Sequence, residues 1–157
     1  MKVTQTQIIE LYIATFGRVA DKTGLDYWTN SGFTIEQIAQ SFFDQPETQT
    51  LNKKNNTDFI ADVYMNTYGI EIPKEATQNW LTKLNNSTKP QIIQDMKNEA
   101  KSTNSQLFKN KVSVAQTSLD ANINDMEVLN VLLDNVTMDI DTVSQATTSN
   151  QIFIASK

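Results

Sequence analysis

The chain has 157 residues, of which 39% are hydrophobic and 20% are charged, and its formal net charge is −5. This length suits a single domain with a hydrophobic core of its own. Because the sequence contains neither cysteine nor histidine, disulfide bonds, the usual zinc sites and any catalytic triad that needs imidazole are excluded.

The negative excess lies in residues 112–157, where six acidic side chains accompany one lysine, Lys157. Nucleic-acid binding needs a basic surface that displaces counterions, and no stretch of the sequence provides one. No apolar run approaches the roughly 20 residues of a membrane-spanning helix, and the first residues lack the apolar core of a signal peptide. We therefore expect no nucleic-acid partner, no membrane insertion and no cleavable N-terminal signal peptide.

The sequence matches itself when it is shifted by 52 positions, and the apolar character of neighbouring positions is shared too. A period of this length is typical of an internal repeat, and two copies are too few for an open solenoid. We therefore predict two related units that pack face to face in one compact body. The identical pairs are Tyr12 and Tyr64, Thr15 and Thr67, Gly17 and Gly69, Lys22 and Lys74, and Trp28 and Trp80.

The first unit, residues 4–46, has the pattern of three short helices. A capping-box threonine at Thr4 precedes apolar residues at helical spacing, which predicts a first helix from about residue 4 to 16. Gly17 can adopt the positive φ that ends a helix. Asp21 is a suitable N-cap for the second helix, and the capping box at Thr34 opens the third.

The second unit, residues 57–102, repeats this order. Gly69 ends its first helix, and Pro73 suits the first turn of the next helix. Thr88 opens the third helix with the same capping signature as in the first unit. Together the two units form a region over residues 1–104.

Residues 105–157 form a C-terminal extension that we expect to pack on the two units. Apolar spacing predicts a helix from about Ser105 to Leu119, a short apolar helix within 126–133 and a last helix starting near Asp139. No stretch alternates with period two for long enough to indicate a sheet. The predicted fold is all-α, a compact bundle of about eight or nine helices.

The only arginine, Arg18, lies in the turn of the first unit, three residues before Asp21. One interpretation is a salt bridge or cap that rigidifies the corner between two helices. The alternative is a sugar-binding site, because a pyranose ring offers both hydroxyls to polar groups and C–H patches to aromatic faces. The candidate glycan-binding residues are Arg18, Asp21, Tyr12, Asp26, Tyr27 and Trp28.

A polar site at this turn would occur once, because Ile70 and Pro73 stand in the second unit at the positions of Arg18 and Asp21. Trp28 also has a structural interpretation. Large aromatic residues that recur at matching positions, here Trp28 and Trp80, usually fill matching pockets of the core.

The acidic stretches 120–125 and 139–141 invite comparison with a calcium loop. The central glycine is missing, however, and Val131 stands where the bidentate glutamate belongs, so capping or solvation is the expected role. The sequence also lacks a phosphate-binding glycine loop and a nucleophile elbow. We therefore expect no metal site, no cofactor and no enzymatic activity.

The first unit carries the motif Leu-Tyr-x4-Gly17-Arg18-x-Ala-Asp21-x-x-Gly-Leu-x-Tyr-Trp28, followed by Ile38, Phe42, Pro46 and Glu47. This motif resembles the bacterial domain family DUF4214, and the resemblance covers most of the chain. The second unit departs from the motif at Ile70, Pro73 and Ala76. The pattern is also faintly similar to the phycobilisome linker domain, a helical module that binds other proteins.

The resemblance implies a role outside the cell. Members of that family occur in exported bacterial surface proteins, including S-layer and adhesin-like proteins that leave by type I secretion. In Gram-negative S-layer proteins, similar helical regions attach the lattice to lipopolysaccharide. The first hypothesis is thus a non-catalytic anchor on the bacterial cell surface that binds envelope glycan. The second is a module that associates with other surface-protein subunits through the apolar C-terminal residues Met126, Leu129, Leu132 and Leu133.

Overall fold

A computed structural model of the protein describes residues 2–45, 49, 53–103 and 106–120, and over these residues the chain is all-helical, with seven helices and no strand. The class predicted from the sequence is therefore confirmed. The further helices predicted near 126–133 and 139 lie outside the described residues. The seven helices are α1 (Gln5–Phe16), α2 (Lys22–Thr29), α3 (Ile35–Phe42), α4 (Asn56–Tyr68), α5 (Lys74–Asn85), α6 (Lys89–Ser102) and α7 (Gln106–Asp120).

The start of α1 is fixed by a reciprocal capping box. The Thr4 hydroxyl accepts a hydrogen bond from the backbone N–H of Gln7 at 3.2 Å, and the Gln7 side chain accepts one from the Thr4 N–H at 2.9 Å. Two otherwise unpaired groups at the helix end are thereby satisfied. Thr34 and Gln37 form the same box at the start of α3. Both caps agree with the prediction from the sequence.

Glycines in the left-handed region end both long helices that precede a corner. Gly17 has φ 68° after α1, and Gly69 has φ 71° after α4. Pro73 differs from its prediction, because it is the N-cap of α5 and not a member of its first turn. Its φ of −63° with ψ of 149° is extended, so the ring directs the chain into the helix from outside.

Helix α1 lies at the centre of the fold. Every residue from 8 to 15 is buried, and α1 contacts α2, α3, α4, α6 and α7. A helix that is buried all round is enclosed by neighbours on every side. A direct polar contact joins it to α4, where Asn66 Nδ2 donates to the Ala14 carbonyl at 3.0 Å. The Lys111 ammonium of α7 in turn donates to the Asn66 carbonyl at 3.1 Å.

A small charged cluster is buried between α1 and α6. The Glu10 carboxylate is almost fully buried and pairs with the half-exposed Lys101 ammonium at 3.1 Å. Lys97 is also buried, at 3% exposure, and burial lowers the pKa of its ammonium although Glu10 acts in the opposite direction. Buried charges are tolerated when an opposite charge is close, so this cluster fixes how α6 sits on α1.

Candidate functional site

The corner between α1 and α2, residues 17–21, carries the glycan site proposed from the sequence. It begins at Gly17, where an added Cβ would lie 2.7 Å from Asn66 Oδ1. The residue must therefore both adopt a positive φ and leave room for α4, and only glycine does both at low cost. Gly17, the first residue of the corner, is thus packed against α4.

Arg18 is an interior residue with 7% of its surface exposed. Its Nη1 donates to the Val19 carbonyl at 2.8 Å, and its Cζ lies 5.2 Å from the ring centroids of both Tyr12 and Phe16. A guanidinium at that distance from two aromatic rings gains cation–π stabilisation, most of all when water is excluded. These contacts indicate that Arg18 stabilises the corner between α1 and α2.

The rings beneath Arg18 form one aromatic cluster. Phe42 lies 4.9 Å from Tyr12, 5.2 Å from Phe16 and 5.4 Å from Trp28, measured between ring centroids. Trp28 is 9% exposed and Trp80 is 3% exposed. The interpretation of both tryptophans as core residues is confirmed, because their rings fill the interior on either side of the fold.

Asp21 is the N-cap of α2. One oxygen of its carboxylate accepts a hydrogen bond from the Gly24 N–H at 3.3 Å, as the sequence predicted. The Tyr12 hydroxyl also approaches, since a Cβ added at Gly24 would lie 2.9 Å from that hydroxyl and 2.9 Å from Asp21 Oδ1. Asp21 therefore belongs to the same tightly built corner.

The last two candidates lie on the outer side of α2. Tyr27 is 61% exposed and its ring contacts Trp28 edge-on, with 4.8 Å between the centroids. Asp26 pairs with Lys22 at 3.0 Å on the helix surface. The structure thus brings Tyr12, Arg18 and Trp28 together in the interior, whereas Tyr27 alone among the six candidates is largely exposed.

A cleft of about 390 Å³ opens where the chain leaves α2 and meets the N-terminal segment. Its exposed aromatic wall is Phe33, with 44% of its surface accessible. Gly32 has φ 79° and nothing stands within 4 Å of the place a Cβ would take. The lining residues are Lys2, Val3, Thr29, Asn30, Gly32 and Phe33.

The polar side chains of this cleft are held in place by α2 itself. Asn30 Nδ2 donates to the Asp26 carbonyl at 2.9 Å, and the Thr29 hydroxyl donates to the Leu25 carbonyl at 2.7 Å. These bonds leave the Asn30 side-chain oxygen and the oxygen lone pairs of Thr29 as acceptors. Within the described part of the chain, the Lys2 ammonium forms no ion pair.

Sequence reasoning missed this cleft. Phe33 directly precedes the N-cap Thr34, and an apolar residue there usually packs on the helix as a hydrophobic staple. The only available signal was an aromatic residue between Gly32 and a cap in a polar loop. Lys2 gave no signal, because its closeness to residues 29–33 arises only when the N-terminal segment folds back on the α2–α3 connection.

Neither a metal-binding cluster nor a membrane-spanning helix occurs in the part of the chain that the structure describes. Among residues 2–45, 49, 53–103 and 106–120, no three acidic side chains gather in a group that could hold a metal ion. In the same ranges, no helix is both long and apolar enough to cross a membrane. The acidic stretch 139–141 and most of 120–125 lie outside the described residues.

No family model matches the chain, and no curated protein or solved structure is significantly similar to it. The resemblance to DUF4214 therefore stays a prediction from the motif around Gly17 and Arg18.

Proposed function

We propose that the chain is a non-catalytic module of a secreted bacterial surface protein that binds envelope glycan, such as lipopolysaccharide, through the outer end of α2. The carrying observation is the exposure of two aromatic rings, Tyr27 on α2 at 61% and Phe33 after α2 at 44%, of which Phe33 lines a polar cleft. We further propose that the helices before residue 104 are two copies of one three-helix unit.

The position of this surface differs from the one suggested by the sequence. Arg18 and Trp28 are buried, so in this proposal they support the site from beneath and make no contact with sugar. Tyr27 and Asn30 are one helical turn apart and share a face of α2. Exposed rings beside fixed amide and hydroxyl groups suit sugars, which present C–H patches and hydroxyls together.

Another surface supports association with protein subunits as a second candidate function. Met65 and Ile70, at the end of α4, are 45% and 51% exposed. Contiguous exposed apolar patches are typical of protein-binding sites, and in this second proposal both side chains contribute to one. The apolar residues Met126, Leu129, Leu132 and Leu133, on which the sequence argument for association relied, lie outside the described residues.

The experiment measures binding of the purified chain to glycan extracted from the envelope of the bacterium that encodes it. We expect Tyr27→Ala and Phe33→Ala each to weaken binding about tenfold, because loss of an aromatic contact costs about 1 kcal/mol or more. Ile70→Ala is the matched control, since it removes an equally exposed apolar side chain from a different helix corner.

The outcomes separate the two candidate functions. Binding that both aromatic variants weaken, with Ile70→Ala unchanged, would support the glycan anchor at the end of α2. Absence of binding by the folded protein would overturn it. Sedimentation of the same chain would then test association, and Met65→Gln with Ile70→Gln should shift any dimer towards monomer.

A further inference from the structure

We propose that the cleft lined by Lys2, Asn30 and Phe33 binds an acidic pyranose, a sugar that carries a carboxylate, and that Lys2 distinguishes it from neutral sugars. This inference rests on the proposed glycan-binding function and names the class of sugar and the residue that selects it.

The volume of the cleft suits a single sugar ring. Small-molecule sites usually enclose about 300–1,000 Å³, and this cleft, at about 390 Å³, lies at the small end of that range. It is open on one side, as expected for a site that holds one unit of a longer chain. A site for an extended peptide would need a longer groove.

The walls of the cleft supply both contacts that a pyranose needs. The exposed ring of Phe33 offers an apolar face to the C–H patch of a sugar. Asn30 and Thr29 supply the polar contacts, and hydrogen bonds to carbonyls of α2 already orient their side chains. Groups that are fixed before binding lose little conformational entropy when the sugar hydroxyls donate to them.

The charge of the cleft selects the class of sugar. Among the described residues that line the cleft, Lys2 is the one charged side chain, and none is acidic. Its ammonium has no ion pair within the described residues. A lysine on a flexible stem can follow a carboxylate as a compact point charge. An acidic sugar would satisfy this ammonium, whereas a neutral sugar would leave it in solvent.

The test is an NMR titration of the full chain with methyl β-glucuronide, methyl β-glucoside and acetate. We expect saturable amide shifts around residues 29–33 with the glucuronide, and about fivefold weaker binding of the glucoside. That ratio corresponds to the roughly 1 kcal/mol of a favourable exposed ion pair. Acetate should give no saturable shifts there, because it lacks the ring that contacts Phe33.

Substitutions assign the preference to one residue. Lys2→Gln should reduce the affinity for the glucuronide to that for the glucoside and leave the glucoside affinity unchanged. Lys53→Gln is the matched control, since it removes an exposed lysine from another part of the chain. Both variants lie outside the hydrophobic core, so folding should be preserved. The preference of the unsubstituted chain should also shrink at 1 M salt, which screens exposed charges.

Two results would overturn the inference while leaving the proposed function intact. One is equal affinity for glucuronide and glucoside, with no effect of Lys2→Gln. The other is absence of shifts at residues 29–33 with either sugar while envelope glycan still binds in an aromatic-dependent way. If envelope glycan fails to bind as well, the proposed function fails with it.

Discussion

The corner after α1 and the corner after α4 match each other when the sequence is shifted by 52 positions, but they have opposite environments in the structure. Both begin with a glycine of positive φ, at 68° and 71°. The next residue is Arg18, 7% exposed, in the first corner and Ile70, 51% exposed, in the second. The charged side chain is thus buried, and the aliphatic one faces solvent.

The difference accompanies a difference in burial between the helices that precede the two corners. Helix α1 has neighbours on all sides, so its residue Ile13 is fully buried, whereas the equivalent Met65 of α4 is 45% exposed. Arg18 is stable inside because a carbonyl and two rings compensate its charge. Residues that match in sequence at a shift of 52 positions therefore need not share an environment, since burial depends on what packs around each of them.

The largest effect is expected where the second corner is tightest. A Cβ at Gly69 would lie 1.9 Å from Leu107 Cδ2 of α7, so Gly69→Ala combines left-handed strain with overpacking and should reduce the free energy of unfolding by about 3 kcal/mol. Gly32→Ala is the control, because Gly32 has the same sign of φ but open space, and it should cost only about 1 kcal/mol. Urea unfolding compares them, and equal losses would show that the contact with Leu107 is unimportant.

Exchanging the residues that distinguish the corners tests the comparison directly. Arg18→Ile removes a charged hydrogen bond and two cation–π contacts from a buried position, and it should cost about 2 kcal/mol. Ile70→Arg places a charge on an exposed surface and should change stability by less than about 0.5 kcal/mol. The measurement is the urea midpoint at constant slope. Similar losses for both variants would contradict the assignment of Arg18 to the interior.

Equivalent threonines on α1 and α4 should respond in opposite directions. The buried Thr15 hydroxyl has no hydrogen-bond partner among the described residues, so Thr15→Val should stabilise the protein by about 1 kcal/mol. The Thr67 hydroxyl donates to the Val63 carbonyl at 2.9 Å, so Thr67→Val should destabilise it by about 1 kcal/mol. Thermal unfolding measures both, and a loss of stability in Thr15→Val would indicate that its hydroxyl is satisfied.

The smallest effect concerns alkaline pH. Burial, together with a hydrogen bond from its hydroxyl to Glu99 Oε1 at 3.0 Å, raises the pKa of Tyr68 from 10.0 to about 12. The folded state keeps this proton while the unfolded state loses it, so the stabilisation is complete below pH 10 and declines as the pH rises to 12.

Tyr68→Phe isolates this contribution and gives α4 the ring type of the equivalent Phe16. The difference in unfolding free energy between the unsubstituted chain and Tyr68→Phe should shrink between pH 10 and 12. Comparing the two chains cancels other groups such as Lys97, whose lowered pKa acts with the opposite sign. A difference that is constant with pH would contradict the raised pKa of Tyr68.

Much of the local structure followed from the sequence. The capping threonines at Thr4, Thr34 and Thr88, the stop glycines and the N-cap Asp21 all depend on groups within four residues of one another. Short sequence patterns specify such contacts, so the helix boundaries that these residues set were predicted to within about a residue or two. Pro73 was misplaced by one position because an extended and a helical proline have the same φ.

The candidate site was less predictable. The sequence grouped Arg18 with the rings of Tyr12 and Trp28, but it could not tell a buried cluster from a binding surface. That distinction depends on α3, which brings Phe42 against these rings from more than ten residues away. The cleft at Phe33 needed the position of Lys2, which no local pattern contains.

The sequence by itself determined that the described chain is helical and where most of its helices begin. These properties come from backbone capping and from hydrophobic periodicity, both of which act over a few residues. The tertiary structure alone decided that Arg18 lies inside, that Ile70 lies outside, and that Lys2 meets Asn30 and Phe33. Burial and proximity depend on how distant helices pack. Packing brings together residues that are far apart in the sequence, and no local pattern predicts which of them will meet.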